Sequence, residues 1–337
     1  MQIHSVKKSI TGLFRDNNRN DSSRIFLNHF YHVTISESVN MKKKHSIVYV
    51  FCILITFLNY RSTAQSDSID FNRRQTIVWS ATITTAGASY IMLNELWYKN
   101  YPRTRLHSFN DNSEWLQVDK VGHMFTSYTL SRYLTDLYSW SQPSGRDRWR
   151  GISTSFLYMT SIELLDGRSA EWGFSWGDML ANTSGIFAFA AQDFFWNEQR
   201  IALKFSYTPS SFATLNESTL GRNFQQRILK DYNAQTYWAS FNIHKFLAAD
   251  ATFPRWMNIA IGYGATKMTS ANFNVDDVNN FQREREFYFS FDADLERVRW
   301  KKKWMKRTAK ILSFIKIPGP TFEIRDNGKI KFHGLFF

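Results

Sequence analysis

The stretch SWGDMLANTSGIFAFAAQDFFWNEQRIALKFSY, residues 175–207, contains the change of period on which the fold turns. From Ser175 to about Trp196 the apolar residues Met179, Leu180, Ile186, Phe187 and Phe189 fit one long helix, opened by a Ser175-x-x-Asp178 capping pair. Past Asn197 the period falls to two, and Ile201 to Tyr207 is the first strand of a different kind of structure.

Working back toward the N-terminus, three more helices are predicted. One runs from about Asp70 to Tyr98 and has no charge between Arg74 and Glu95. It is long enough to cross a bilayer, but five Thr/Ser between Thr76 and Thr85 leave a buried or interfacial helix equally open. The next starts near an N-cap at Ser113 and runs through Trp115, Val118, Phe125, Tyr128 and Leu134, until Pro143 and Gly145 break it. The third covers about Arg146 to Leu165 and stops at Asp166-Gly167. Short connections between four such helices predict an antiparallel bundle over residues 65–198.

Working forward, alternation marks Tyr237 to Ile243, Met257 to Gly264 and Phe287 to Asp292. Two further strands, Thr321 to Arg325 and Lys329 to Phe336, flank an Asp326-Asn327-Gly328 turn. Residues 199–337 therefore read as an antiparallel β domain, and the fold class is α+β. Each strand has one apolar and one polar or small face. That pattern suits a sheet packed on one side and equally suits lipid-facing barrel strands around a polar lumen. Six strands are fewer than the eight of the smallest single-chain membrane barrels, which counts against the barrel.

The chain has 337 residues, 42 Lys and Arg against 29 Asp and Glu, 17% aromatic residues and one cysteine. A chain so rich in aromatics is not a disordered polyelectrolyte. Lys42-Lys43-Lys44, the uncharged run Ile47 to Leu58, and Ser62 and Ala64 form a secretory signal over residues 41–64. Residues 1–40, polar and without period, read as an upstream mis-start, with a cytoplasmic arm as the alternative. The signal contains Cys52, which lacks the small preceding residue of a lipoprotein acceptor; without it the exported chain has no thiol. Between the last strands, residues 300–316 form a basic amphipathic helix. Its Trp300, Lys301, Lys302, Lys303, Trp304, Lys306 and Arg307 suit an anionic membrane surface, or a solvated helix docked on the sheet. No recognition motif accompanies these lysines, so nucleic acid is not an expected partner.

Seven polar residues stand out in the helices. Asp119 and His123 share a face at i,i+4, with Lys120 beside them. Glu163 and Asp166 end the third helix, and Asp178 and Asn182 share a face of the fourth, which Gly185 extends with a position open to close helix approach. Buried in apolar helices, such groups must be paired or used. Carboxylates with one imidazole can hold a divalent cation, with Asp119, His123 and Glu163 as the ligand candidates, or serve as acid and base. The same residues also suit plain structural roles, as caps, ion pairs and a satisfied core histidine.

The run Asp119-Lys120-x-x-His123, Glu163-x-x-Asp166-Gly167, Trp172-Gly173-Phe174-Ser175-x-Gly177-Asp178-x-x-Ala181-Asn182-x-x-Gly185 resembles the YfiM-type family of predicted periplasmic lipoproteins. More distantly it is similar to VanZ-like membrane proteins. The C-terminal half, with Gly262-Tyr263-Gly264-Ala265, resembles the long form found in Bacteroidetes. The resemblance implies an exported protein of the periplasm or outer envelope and brings no settled reaction. Expected functions are a polar pocket for a lipid headgroup or lipid-linked envelope component, a non-catalytic envelope scaffold, or part of an outer-membrane barrel. No cofactor is expected beyond a divalent cation, and no nucleophile elbow, phosphate loop or zinc spacing is present.

Overall fold

The computed structural model describes residues 71–141, 145–248, 250–272 and 282–337. All belong to the second of two units, Asp67–Phe337, so the readings of residues 1–40 and 41–64, Cys52 included, lie outside the described residues. Among the described residues are seven α-helices: α1 (Phe71–Leu93), α2 (Val118–Ser141), α3 (Asp147–Asp166), α4 (Trp176–Trp196), α5 (Glu217–Leu220), α6 (Phe224–Lys230) and α7 (Lys303–Ile311). The strands are β1 (Ile201–Tyr207), β2 (Gln235–Asn242), β3 (Met257–Thr266), β4 (Glu284–Ala293), β5 (Gly319–Arg325) and β6 (Ile330–Phe336).

Small and polar side chains, with a few large ones such as Tyr128, Met159 and Phe189, hold the long helices together. The buried stripe of α3 is Asp147, Gly151, Ser155, Met159 and Glu163, one residue per turn, and it faces the buried Ser127 and Ser131 of α2. Ser155 Oγ donates to the Ser127 carbonyl at 3.1 Å. A Cβ on Gly151 would lie 2.5 Å from the Thr135 backbone nitrogen, and one on Gly185 of α4 only 2.0 Å from the Met124 carbonyl oxygen. α2 is thus gripped on two sides at backbone distance, as small residues permit in membrane helix pairs. α1 adds Trp79 against Tyr138 (ring centroids 5.3 Å) and a 2.7 Å bond between Ser89 and Tyr158, but most of its surface stays exposed. The four-helix expectation reduces to three closely packed helices with α1 laid on the outside, where Val78 is its one fully buried residue among those described. The segment Arg73–Tyr98 is long and apolar enough to cross a membrane.

The second helix also starts later than read. Ser113 makes no side-chain cap, and Trp115, Leu116 and Gln117 take φ of 48°, 49° and 66° in a left-handed turn before α2. Each such residue costs about 1–2 kcal/mol, offset by burial of Trp115 and Val118 in an apolar core with Ala213, Leu220, Ala265 and Met268. α5 and α6 are absent from the sequence reading, and α5 supplies Leu220 to that core. Asn216 and Asn223 cap them, accepting from Thr219 and Gln226 backbone N–H groups.

The six strands form one antiparallel sheet in sequence order. Its polar face is the buried one: Lys204, Ser240, Asn242, Asn258, Ser290, Asp292, Thr321 and Glu323 are buried, while Phe287, Phe289, Phe291, Phe322 and Ile324 are exposed. The sheet rolls to achieve this. Strands β2 and β6 would stand about 19 Å apart in a flat sheet, yet the Phe336 ring lies 6.1 Å from Trp238 and 4.7 Å from Tyr288. The edges approach as well, with Lys316 N–H donating to the Phe205 carbonyl at 2.9 Å and Thr208 bonded to the Phe337 carbonyl. Inside, Lys204 Nζ meets Asp292 at 2.6 Å, and Ser240 donates to the same carboxylate at 2.6 Å. The outer face of β1 and β2 packs on α2, with Phe125 against Phe205 and Tyr237.

α7 spans Lys303–Ile311, narrower than residues 300–316. Lys301, Lys302, Lys303, Trp304, Lys306 and Arg307 are exposed, whereas Trp300 is turned in and donates to the Leu295 carbonyl at 2.7 Å. The other side of the segment is docked: Ala309 is buried, Tyr133 donates to the Ile311 carbonyl at 2.8 Å, and Phe314 contacts Phe125.

Candidate functional site

The first turn of α2, the last two turns of α3 and the start of α4 converge on His123. Its Nδ1 lies 3.4 Å from Glu163 Oε1 and 3.2 Å from Asn182 Oδ1, and Asn182 Nδ2 also donates to Glu163 Oε1 at 3.2 Å. With Nδ1 taken up by these acceptors, Nε2 faces the opposite way. There it stands 4.0 Å from Asp119 Oδ1 and 3.9 Å from Asp178 Oδ1. These gaps are too long for hydrogen bonds. One ligand atom from each of Asp119, His123 and Asp178 lies within 4.8 Å of the other two.

Lys120 stands beside this gap, with Nζ 2.7 Å from Asp111 Oδ1, 2.7 Å from Asp178 Oδ1 and 3.5 Å from Asp119 Oδ2. Ser175 caps α4, accepting from Asp178 N–H at 3.0 Å, and its hydroxyl donates to Asp111 at 2.6 Å. Tyr232, just ahead of β2, donates to Asp119 Oδ1 at 2.7 Å. Asp119, Lys120, His123, Glu163, Asp178 and Asn182 thus meet in one place. Asp166 is turned aside and accepts from Tyr98 at 2.7 Å. Of the cation ligands read from sequence, Glu163 lies behind the imidazole, and Asp178 takes its place at the gap.

Asp111 and Tyr232 were missed. Asp111 lies in a polar loop and Tyr232 is far along the chain, and neither belongs to a spacing pattern that would mark it.

Burial and crowding of acids set the charges. Burial pushes the Glu163 carboxyl up to about 8, with His123 opposing and Asp178 adding to the rise. Burial raises Asp178 to about 7, against the pull of His123, and Asp166 to about 6. Burial disfavours the charged His123 ring, but Asp119, Asp178 and Glu163 outweigh it and push the imidazolium up to about 9. Asp111 is half-buried, which raises it, yet its bonds from Lys120 and Ser175 hold it below the usual carboxylate range. Asp111, Asp119, Glu163 and Asp178 therefore face Lys120 and His123, with Asp166 turned toward Tyr98. Glu163 Oε2 is buried and has no hydrogen-bond partner.

Two hollows are described elsewhere. One of about 590 Å³ is lined by residues including His244, Arg255, Trp256 and Arg297, and one of about 250 Å³ lies between α2 and the outer face of β1 to β3. Neither is lined by a residue of the cluster.

Residues 108–194 match the sequence family described as Predicted periplasmic lipoprotein (DUF2279). The matched segment holds Asp111, Asp119, Lys120, His123, Glu163, Asp166, Ser175, Asp178 and Asn182, and it ends before the sheet begins. Its description supports an exported, membrane-anchored protein of the cell envelope. The VanZ-like and Bacteroidetes likenesses are not part of that match. No curated protein and no solved structure matches the chain.

Proposed function

We propose that this is a membrane-associated cell-envelope protein whose cluster binds the headgroup of a lipid or lipid-linked envelope component through a positive charge held among Asp119, His123 and Asp178. That charge is either the ammonium of an ethanolamine headgroup, held by the Asp119 and Asp178 carboxylates, or a divalent cation that displaces the His123 Nε2 proton and bridges a phosphate headgroup. The observation that carries the reading is the orientation of His123. Glu163 and Asn182 hold Nδ1 from behind, leaving Nε2 toward two carboxylates at distances a cation would bridge. The surplus of acid favours a cation over a bare anion.

The test uses the purified full chain in detergent. One arm titrates Mn²⁺; the other, in chelator, titrates short-chain phosphatidylethanolamine. Saturable binding is expected in one arm, weakened at least tenfold by Asp178→Asn and by His123→Ala, with the melting temperature little changed. Binding in neither arm overturns the reading.

A structural network is the second reading, favoured by the Lys120 ammonium, which already sits 2.7 Å from both Asp111 and Asp178. In that case Lys120→Ala and His123→Ala lower the melting temperature, and no ligand binding is lost because none exists.

A further inference from the structure

The outer face of β3 to β6 carries two continuous apolar rows. Ile261, Phe289, Phe322 and Phe332 are successive cross-strand partners, and so are Tyr263, Phe287, Ile324 and Ile330, of which Tyr263 is half-buried and donates to the Leu116 carbonyl. Exposure along the first row is 53%, 45%, 50% and 57%. Behind it, on the buried face, run Ala260, Ser290, Thr321 and His333, and beyond them the Lys204–Asp292 pair. A sheet folded for water hides its apolar face; this one hides ion pairs and presents phenylalanine. The same inversion recurs in a different element. α4 buries Asp178, Asn182 and Gln192 while Trp176, Phe187 and Phe195 stand 73%, 69% and 74% exposed.

The dimensions and the flanking charges say what covers the face. From Phe287 to Phe291 the apolar band of β4 covers about 14 Å of strand, half of a hydrocarbon core of about 30 Å. Charge bounds it at both ends. The β4–β5 connection carries exposed Lys301, Lys302, Lys303, Lys306 and Arg307, and the β5–β6 end carries Arg325, Asp326 and Lys329. Such a band is too short to cross a bilayer, and its basic end complements anionic headgroups.

We infer that the outer face of β3 to β6 rests against the acyl chains of a single membrane leaflet, with the basic segment before and within α7 on the headgroups. The inside-out sheet is a lipid-seated surface, not a spanning barrel. This stands apart from the headgroup reading of the His123 cluster, since it involves none of those residues.

The test is site-directed nitroxide labelling of the full chain carrying Cys52→Ser, reconstituted in vesicles of phosphatidylethanolamine and phosphatidylglycerol. Labels enter at Phe289→Cys and, independently, Phe322→Cys, both half-exposed positions that take a label without repacking, and at Asn327→Cys in the β5–β6 turn. The labels at 289 and 322 should collide with oxygen several-fold more than with a water-soluble nickel chelate, and the label at 327 should show the reverse. Labels at 289 and 322 that meet the nickel chelate as readily as the label at 327 overturn the inference. So do labels shielded from both reagents, whether spin-coupled, as against a second copy, or uncoupled, as beneath another segment of the chain.

Discussion

At the scale of single residues, His123 and Glu163 make the cluster's behaviour depend on pH in a fixed direction. Glu163 holds its proton up to about 8 in the folded chain, against about 4.3 when unfolded. His123 stays charged up to about 9, against about 6.5 unfolded. In both cases the folded chain binds more protons than the unfolded one. Stability is therefore greatest in mild acid and falls as pH rises from about 5 to 9. Thermal melts of the metal-free protein across that range should show the decline, and Glu163→Gln, which removes one titrating group but can still accept from Asn182, should flatten it. A melting temperature that rises toward pH 9 contradicts this assignment. Cation uptake should run the opposite way. Affinity for Mn²⁺ should strengthen between pH 6 and 9 as Asp178, which titrates near 7, and then His123, charged up to about 9, lose their protons.

At the scale of elements, the grip on α2 is the feature most open to mutation. Leucine at Gly185 cannot be placed without pushing α4 off the Met124 carbonyl. Overpacking of this kind costs about 1–3 kcal/mol, and Gly185→Leu should lower the melting temperature by several degrees and loosen the cluster that α2 and α4 share. A variant that melts like the wild type and binds ligand unchanged would show that the close approach is dispensable. Breaking the buried pair inside the sheet should cost more, about 3–5 kcal/mol for Asp292→Ala, because Lys204 is left charged and unpaired. The elements themselves were largely legible. Alternation marked all six strands, and Ser175-x-x-Asp178 marked the start of α4, because periodicity and capping are local properties. The left-handed turn at Trp115, Leu116 and Gln117 was not, since none of these residue types favours positive φ and distant partners hold them there, among them the core around Trp115 and the bond from Trp115 N–H to the Ala271 carbonyl. Gly185 gave a clear signal of close approach, but α1, just as helical in pattern, gave none of its outlying position.

At the scale of the whole molecule, the alternation that revealed the strands could not say which face is inward, because a soluble sheet and a lipid-facing one alternate alike. The convergence of Asp119, His123 and Asp178 depends on how three helices cross, which spacing within each helix does not specify. Both layers bury carboxylates, amides, serines and lysine while leaving many phenylalanines exposed, although Trp115, Trp238 and Phe189 lie inside. That arrangement accords with a membrane-anchored envelope protein, with the polar His123 cluster at one end of the three packed helices. The most direct measurement of the cluster's role is ligand binding by the full chain at pH 8, with Mn²⁺ in one arm and phosphatidylethanolamine in chelator in the other, compared between wild type and Asp178→Asn. The account predicts one ion or one lipid bound per wild-type chain and at least tenfold weaker binding by an equally stable variant. A wild-type chain that binds neither, or a variant that binds as tightly as the wild type, would contradict it.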